Sequence, residues 1–306
     1  MMGIEAIHAV RWALYLVLGI LSGAPFYARF LARPRVAPMR SITLGLLALA
    51  GLALSLCGFA LSIAAMSGTS VSDTDPELLR TMILTTAVGW AFIAQSESLL
   101  AILLLVAFPG ASRKGRLDVI PAFGAIAIGA IAWSGHAAAS DGINSVARLA
   151  GDIVHMLAAS LWLGALVVLL RELTRRRTHS ADSLQDVWAL FYGFGRIGSV
   201  VVTTLVITGI LNMAFLFNVA DLAALPFQPY GRWLLIKLGL FCVMVALAGI
   251  NRFYLTPRLA GASGGGRMSS LRILRLTVTL ELALIIAIMG IVGWIGTQEP
   301  TVVQAM

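Results

Sequence analysis

Eight long apolar stretches leave this chain few folds to choose from. They run over residues 6–30, 42–65, 78–107, 118–139, 146–172, 187–217, 231–254 and 273–297. A helix needs roughly 20 mostly apolar residues to cross the hydrocarbon of a bilayer, and each stretch supplies about that many. Lipid offers no hydrogen bonds, so such stretches must satisfy their own backbone as helices. The composition agrees: 59% of the 306 residues are hydrophobic and 12% charged, with a mean hydropathy of +0.93, outside the range of water-soluble domains. The expected fold is all-α: a polytopic membrane helix bundle of about eight transmembrane helices. It forms a single integral membrane domain over 1–306, with four helices in 1–140 and four in 141–306. The connections are too short for a soluble catalytic domain. No enzyme chemistry and no catalytic residue is expected, and function has to be built from side chains within the helices or at their ends.

The net charge of +8 is explained by topology. Arg29, Arg33, Arg35 and Arg40 follow the first stretch; Arg113, Lys114 and Arg116 the third; Arg171, Arg175, Arg176 and Arg177 the fifth. Arg252, Arg258, Arg267, Arg272 and Arg275 surround the seventh connection, making sixteen of the 22 basic residues. The alternate connections carry Asp73, Asp75 and Glu77, then Asp141, then Asp221, and Glu299 lies near the C-terminus. The positive-inside bias therefore places the arginine-rich connections in the cytoplasm and both termini outside. The partner of the apolar surface is the lipid bilayer, and no nucleic acid is expected. Arg11 followed by Trp12 to Ala24 has the outline of a signal peptide. The run continues to Phe30 and meets four arginines, so it is expected to stay as the first helix. The glycine run from Gly261 to Gly266 joins two membrane helices and reads as a flexible linker. No internal repeat marks inverted halves.

Once topology converts sequence position into depth, ionisable residues in the apolar stretches become the candidates for function. An outer layer holds His8, His136, Asp152, His155 and Lys237, and an inner layer holds Glu97, Arg196 and Glu281. On one helix Asp152 shares a face with His155 at i+3 and Met156 at i+4, so a carboxylate, an imidazole and a thioether can address one cavity. That donor set suits copper, as Cu(I) or Cu(II). The expected metal ligands are His136, His155, Asp152, His8 and Met156. Further thioethers on the same side are Met1, Met2, Met66, Met82 and Met213. Cys57 and Cys242 form no disulfide framework; each is either an inward relay ligand or a small apolar residue. Lys237 either pairs with Asp152 or snorkels outward. Glu97, Arg196 and Glu281 read as one buried charge network, structural or a relay. His179, among arginines in a loop, is expected to be solvated.

The run Gly151-Asp152-Ile153-Val154-His155-Met156, continuing to Trp162-Leu163-Gly164, resembles the D-x-x-H…W-x-G helix of the CopD/PcoD copper-resistance membrane proteins. Pro229-Tyr230-Gly231-Arg232-Trp233-Leu234-Leu235-Ile236-Lys237, with Asn251-Arg252 and Pro257 beyond, resembles that family's YG-x-x-L-x-x-K…NR…P helix, and Glu281 fits its acidic position. The resemblance covers residues 135–297 by motif and the rest by topology and His8. It implies a multi-pass protein of the bacterial inner (plasma) membrane, with both termini in the periplasm, that serves copper homeostasis and moves copper toward the cytoplasm, with a separate periplasmic CopC-like carrier as donor. It supports His136, Asp152 and His155, and adds Tyr230, Lys237 and Asn251. With no P-loop, movement would follow the copper gradient or couple to protons. Two other classes stay open: a haem-binding transmembrane electron-transfer protein, and a copper-binding scaffold or sensor that transports nothing.

Overall fold

The computed structural model describes residues 2–33, 36–108, 113–134, 143–175, 181–217, 219–261 and 265–296. Those residues form ten α-helices: α1 (Met2–Phe26), α2 (Ser41–Ser67), α3 (Pro76–Thr85), α4 (Ala87–Ala107), α5 (Arg113–Ala130), α6 (Ile143–Arg175), α7 (Ala181–Leu216), α8 (Pro229–Ile250), α9 (Thr256–Gly261) and α10 (Gly265–Ile295). No strand occurs among the described residues. Seven of the helical runs are long and apolar enough to cross a membrane, and the apolar helix Asp118–Trp133 is a shorter eighth.

Three expected helices depart from a regular course. The stretch 78–107 breaks at Thr86, whose backbone turns extended and whose hydroxyl accepts from Gly89 N at 3.0 Å, so α4 begins with its own N-cap. At the arginine-rich ends of α1 and α8 the backbone passes into π-helical turns, Tyr27–Leu31 and Asn251–Leu255. In α1 the turn follows Pro25, which has no N–H to give the helix ladder.

The bundle is organised around α1, which packs on α2, α5, α6 and α10. Leu18, Leu21, Ala24 and Tyr27 are fully covered. Its closest neighbour is α6, through a pair of small-x-x-x-small patterns, Gly19/Gly23 and Ser160/Gly164. A Cβ at Gly23 would lie 1.8 Å from Ser160 O, and one at Gly164 would lie 2.1 Å from Ala24 N. Such backbone contact is the usual means of fastening helices in lipid, where apolar burial gives no preference for a protein partner. Gly124 does the same for α5, its Cβ position 2.8 Å from Ser22 Cα.

Arginines from the ends of the first and fifth stretches and the start of the eighth meet at one end of this bundle. Arg29 Nε pairs with Asp118 Oδ1 at 2.5 Å, Arg171 donates to Pro38 O at 3.2 Å, and Arg275 donates to Leu173 O at 2.9 Å. The acidic α2–α3 connection and the start of α8 lie at the opposite ends of their helices.

Candidate functional site

The Asp152/His155 face of α6 is turned toward α7. Thr204, Thr208 and Asn212 recur there every fourth residue, a polar stripe on one face of an otherwise apolar helix. His155 Nδ1 lies 2.8 Å from Thr208 Oγ1, and Asn212 Nδ2 donates to Asp152 Oδ1 at 2.6 Å. Two antiparallel helices are thereby joined by consecutive polar pairs, one turn apart on each.

Thr208 Oγ1 lies between His155 Nδ1 and Thr204 O, which is 2.7 Å away. With the hydroxyl proton on Thr204 O, the imidazole would donate through Nδ1 and offer Nε2 as a lone pair. Among the described residues Nε2 has no partner. A ring pinned through Nδ1–H with Nε2 open is how a histidine is prepared to bind a metal. Gly209 leaves room beside it: a Cβ there would come 3.9 Å from His155 Cε1.

Cations surround the carboxylate. Arg148 on α6 and Lys237 on α8 are both within electrostatic reach of Asp152, and Tyr15 of α1 also senses its charge. Lys237 lies near the carboxylate, but among the described residues it closes no ion pair with Asp152, which takes its hydrogen bond from Asn212. Tyr230, named by the resemblance, is within electrostatic reach of Arg148 at the start of α8. The station thus draws on α1, α6, α7 and α8.

Other expected ligands stand elsewhere. Met156 is rotated away from Asp152 and His155 and packs into the apolar cluster of Leu18, Leu21, Ala127 and Ile128. Neighbouring helical positions differ by about 100° in direction, and with α7 covering the His155 side, Met156 is carried toward α1 and α5. His8 is two turns nearer the end of α1 than Tyr15, about 10 Å along the axis. It is buried there against α10, with Nδ1 3.4 Å from Gly293 O and its ring 4.3 Å from that of Trp294. No described contact joins His8 to Asp152 or His155. His136 and His179 lie outside the described residues, within which no three His, Cys, Asp or Glu converge in a form that could hold a metal.

The inner layer does not assemble as one network. Glu97 is exposed on the outer surface midway along α4. Arg196 is also exposed, its guanidinium 5.3 Å from the ring centre of Tyr192. Cys57 and Cys242 both face outward, so neither lines an interior path. Each residue was assigned a depth by its place in the sequence, but helix packing left it on the outside of the bundle.

Only Glu281 of the three is interior, at 1% exposure. Its Oε1 accepts from Asn251 Nδ2. Asn251 Oδ1 accepts from Thr277 Oγ1 at 2.5 Å, and Asn251 O accepts from Thr256 Oγ1 at 2.7 Å. Asn251 thus fixes the π turn at the end of α8 to α10. Arg252, next in the turn, donates to Ser199 Oγ of α7. Three participants escaped sequence reasoning: Thr208, Asn212 and Thr277. Their signal was available as four-residue polar spacing, 204/208/212 on α7 and 277/281 on α10.

Comparison with known proteins identifies the family. The family model described as copper resistance protein D-like, N-terminal domain, matches residues 1–147, and the model described as copper resistance protein D matches residues 188–295. The chain is 30% identical over 305 residues to copper resistance protein D of Pseudomonas syringae pv. tomato, covering 97% of this chain and 98% of that protein. It is 30% identical over 262 residues to copper transport protein CutJ of Bacillus subtilis (strain 168), covering 82% of this chain and 46% of that longer protein. No solved structure shows a significant match. Seven helices long and apolar enough to cross a membrane, together with matches over both halves, make this chain a multi-pass inner-membrane member of the copper resistance protein D family.

Proposed function

We propose that the chain moves copper across the inner membrane, from the periplasmic side to the arginine-rich cytoplasmic side, with the ion as substrate. The observation that carries this reading is the His155–Thr208 contact: Nδ1 sits 2.8 Å from Thr208 Oγ1, which itself lies 2.7 Å from Thr204 O, an arrangement that favours an open Nε2. His155 would take the ion, with Asp152 and His136 as neighbouring donors and a periplasmic CopC-like carrier as the source. Lys237 and Arg148 offset the Asp152 carboxylate, so the station holds a cation less tightly than a purely anionic one would. That suits a site that passes its ion on. The ion would leave past Asn251 and Glu281, the polar interior group on the arginine-rich side, in place of the outward-facing Cys57, Cys242 and Glu97.

Copper-loaded purified protein, examined by electron paramagnetic resonance and X-ray absorption, tests the station. His155→Ala is expected to remove nitrogen coordination and to abolish copper accumulation in cells while the protein stays in the membrane. Unchanged copper binding and accumulation in that variant would exclude His155 as the ligand.

A further inference from the structure

At the arginine-rich end, a cavity of about 290 Å³ is bounded by the first turns of α2 and α5, the last turns of α4 and α6, and residues 37–40. Arg40 stands at the N-cap position of α2, and Arg171 and Arg175 are one turn apart at the end of α6; all three line the cavity. Arg171 is within electrostatic reach of both of the others. Like charges addressing one space repel, and more strongly beside an apolar wall than in open water. Among the described residues no carboxylate lines the cavity to offset them. Asp118, at the same end, is taken by Arg29. Glu172, whose charge also reaches Arg171, is buried outside the lining.

The positive-inside bias accounts for arginines on this side of the membrane, but arginines directed anywhere into the cytoplasm would satisfy it. Their convergence on one cavity needs a further reason. Arg171 is held in place, with Nη2 donating to Pro38 O at 3.2 Å, and its other N–H groups have no acceptor among the described residues. Ser41 adds a hydroxyl to the lining. No side chain caps α2, so the positive end of that helix adds to the field of the three guanidiniums. The side of the cavity nearer the membrane interior is apolar, with Leu44, Val106 and Ile120. A water occupies about 30 Å³, so a monatomic anion would leave most of this volume unfilled. A guanidinium fork matches two oxygens of a phosphate, and several forks around one space match a phosphate group better than any single-point anion.

We propose that this cavity binds a phosphate group, brought by an anionic phospholipid headgroup or as free phosphate, through Arg40, Arg171, Arg175 and Ser41. The apolar side favours the lipid, whose glycerol and first acyl carbons would lie along Leu44, Val106 and Ile120. Basic pockets between helices on the cytoplasmic side are a usual seat of phospholipid heads. The site is separate from the copper station: Arg171 is sixteen residues beyond His155 on α6, about 24 Å along the axis.

The test uses the full chain, stripped of lipid in a neutral detergent, with three probes. Dioleoylphosphatidylglycerol and its phosphate-free counterpart dioleoylglycerol are counted by native mass spectrometry, and radiolabelled inorganic phosphate by equilibrium dialysis. Phosphatidylglycerol is expected to saturate a tight site at one per chain and to bind at least about tenfold more tightly than dioleoylglycerol, the value of a charge-assisted hydrogen bond. Arg171→Gln should weaken it about tenfold or more. Arg175→Gln, at an exposed position where folding is not at risk, should do the same. Arg272→Gln removes a charge from the same end but outside the cavity lining, and should leave binding unchanged. Inorganic phosphate bound in place of the lipid, with the same dependence on Arg171 and Arg175, would support the site and assign its ligand to solution. His155→Ala should leave binding intact, so failure of the copper reading and failure of this one are separable. Phosphatidylglycerol held no better than dioleoylglycerol with no phosphate bound, or equal losses in Arg272→Gln and the two cavity variants, would overturn the proposal.

Discussion

One hydrogen bond orients His155. Thr208 Oγ1, itself 2.7 Å from Thr204 O, holds the imidazole at Nδ1, the arrangement that leaves Nε2 for a metal. Thr208→Val keeps the shape of the side chain and removes the oxygen. It should lower copper affinity about 10- to 100-fold, measured by competition with a chromophoric chelator; an unchanged affinity would mean that the ring needs no such support. Asn212→Leu tests the neighbouring pair, since it strips Asp152 of its described hydrogen bond, and should destabilise the protein by about 1–3 kcal/mol in a thermal unfolding assay. The His155 and Asp152 positions were legible in the sequence because they stand out chemically in an apolar helix. Thr208 and Asn212 were not, because threonine and asparagine are common in membrane helices and only the facing partner gives them a role.

At the scale of helices, contact is set by where side chains are missing. The α1–α6 crossing brings backbone against backbone at Gly23 and Gly164, and the added Cβ distances of 1.8 and 2.1 Å leave no room for alanine. Gly23→Ala should cost about 1–3 kcal/mol or more by overpacking, read as lower thermal stability and lower yield of folded protein. Gly239→Ala is the control, because nothing lies within 4 Å of that position; relief of backbone entropy should make it neutral or stabilising by up to about 1 kcal/mol. Equal losses in the two variants would refute the close crossing. The π turn at Asn251–Leu255 belongs to this scale as well: it ends α8 with Asn251 turned toward Thr277 and Glu281, and such turns often accompany functional sites in helical proteins.

For the whole molecule, the arginine band predicts orientation. In a variant lacking Cys57 and Cys242, cysteine at exposed Ser72, in the acidic connection between α2 and α3, should be labelled by a membrane-impermeant maleimide from the periplasmic side. Labelling only after the inner membrane is breached would invert the topology and with it the proposed direction of copper movement. The sequence by itself determined the solvent, the helical class, the approximate spans and the depth of each polar residue, because these depend on composition along one dimension and on where arginines fall between stretches. The tertiary structure alone decided direction around each helix axis. In water an amphipathic pattern identifies the inward face, but in lipid both surroundings are apolar and the pattern is largely lost. Depth placed Glu97, Arg196 and Glu281 in one layer, and Met156 beside His155. Packing then turned Glu97, Arg196, Cys57 and Cys242 to the exterior, moved Met156 into the α1–α5 cluster, and brought His155 to Thr208 and Glu281 to Asn251.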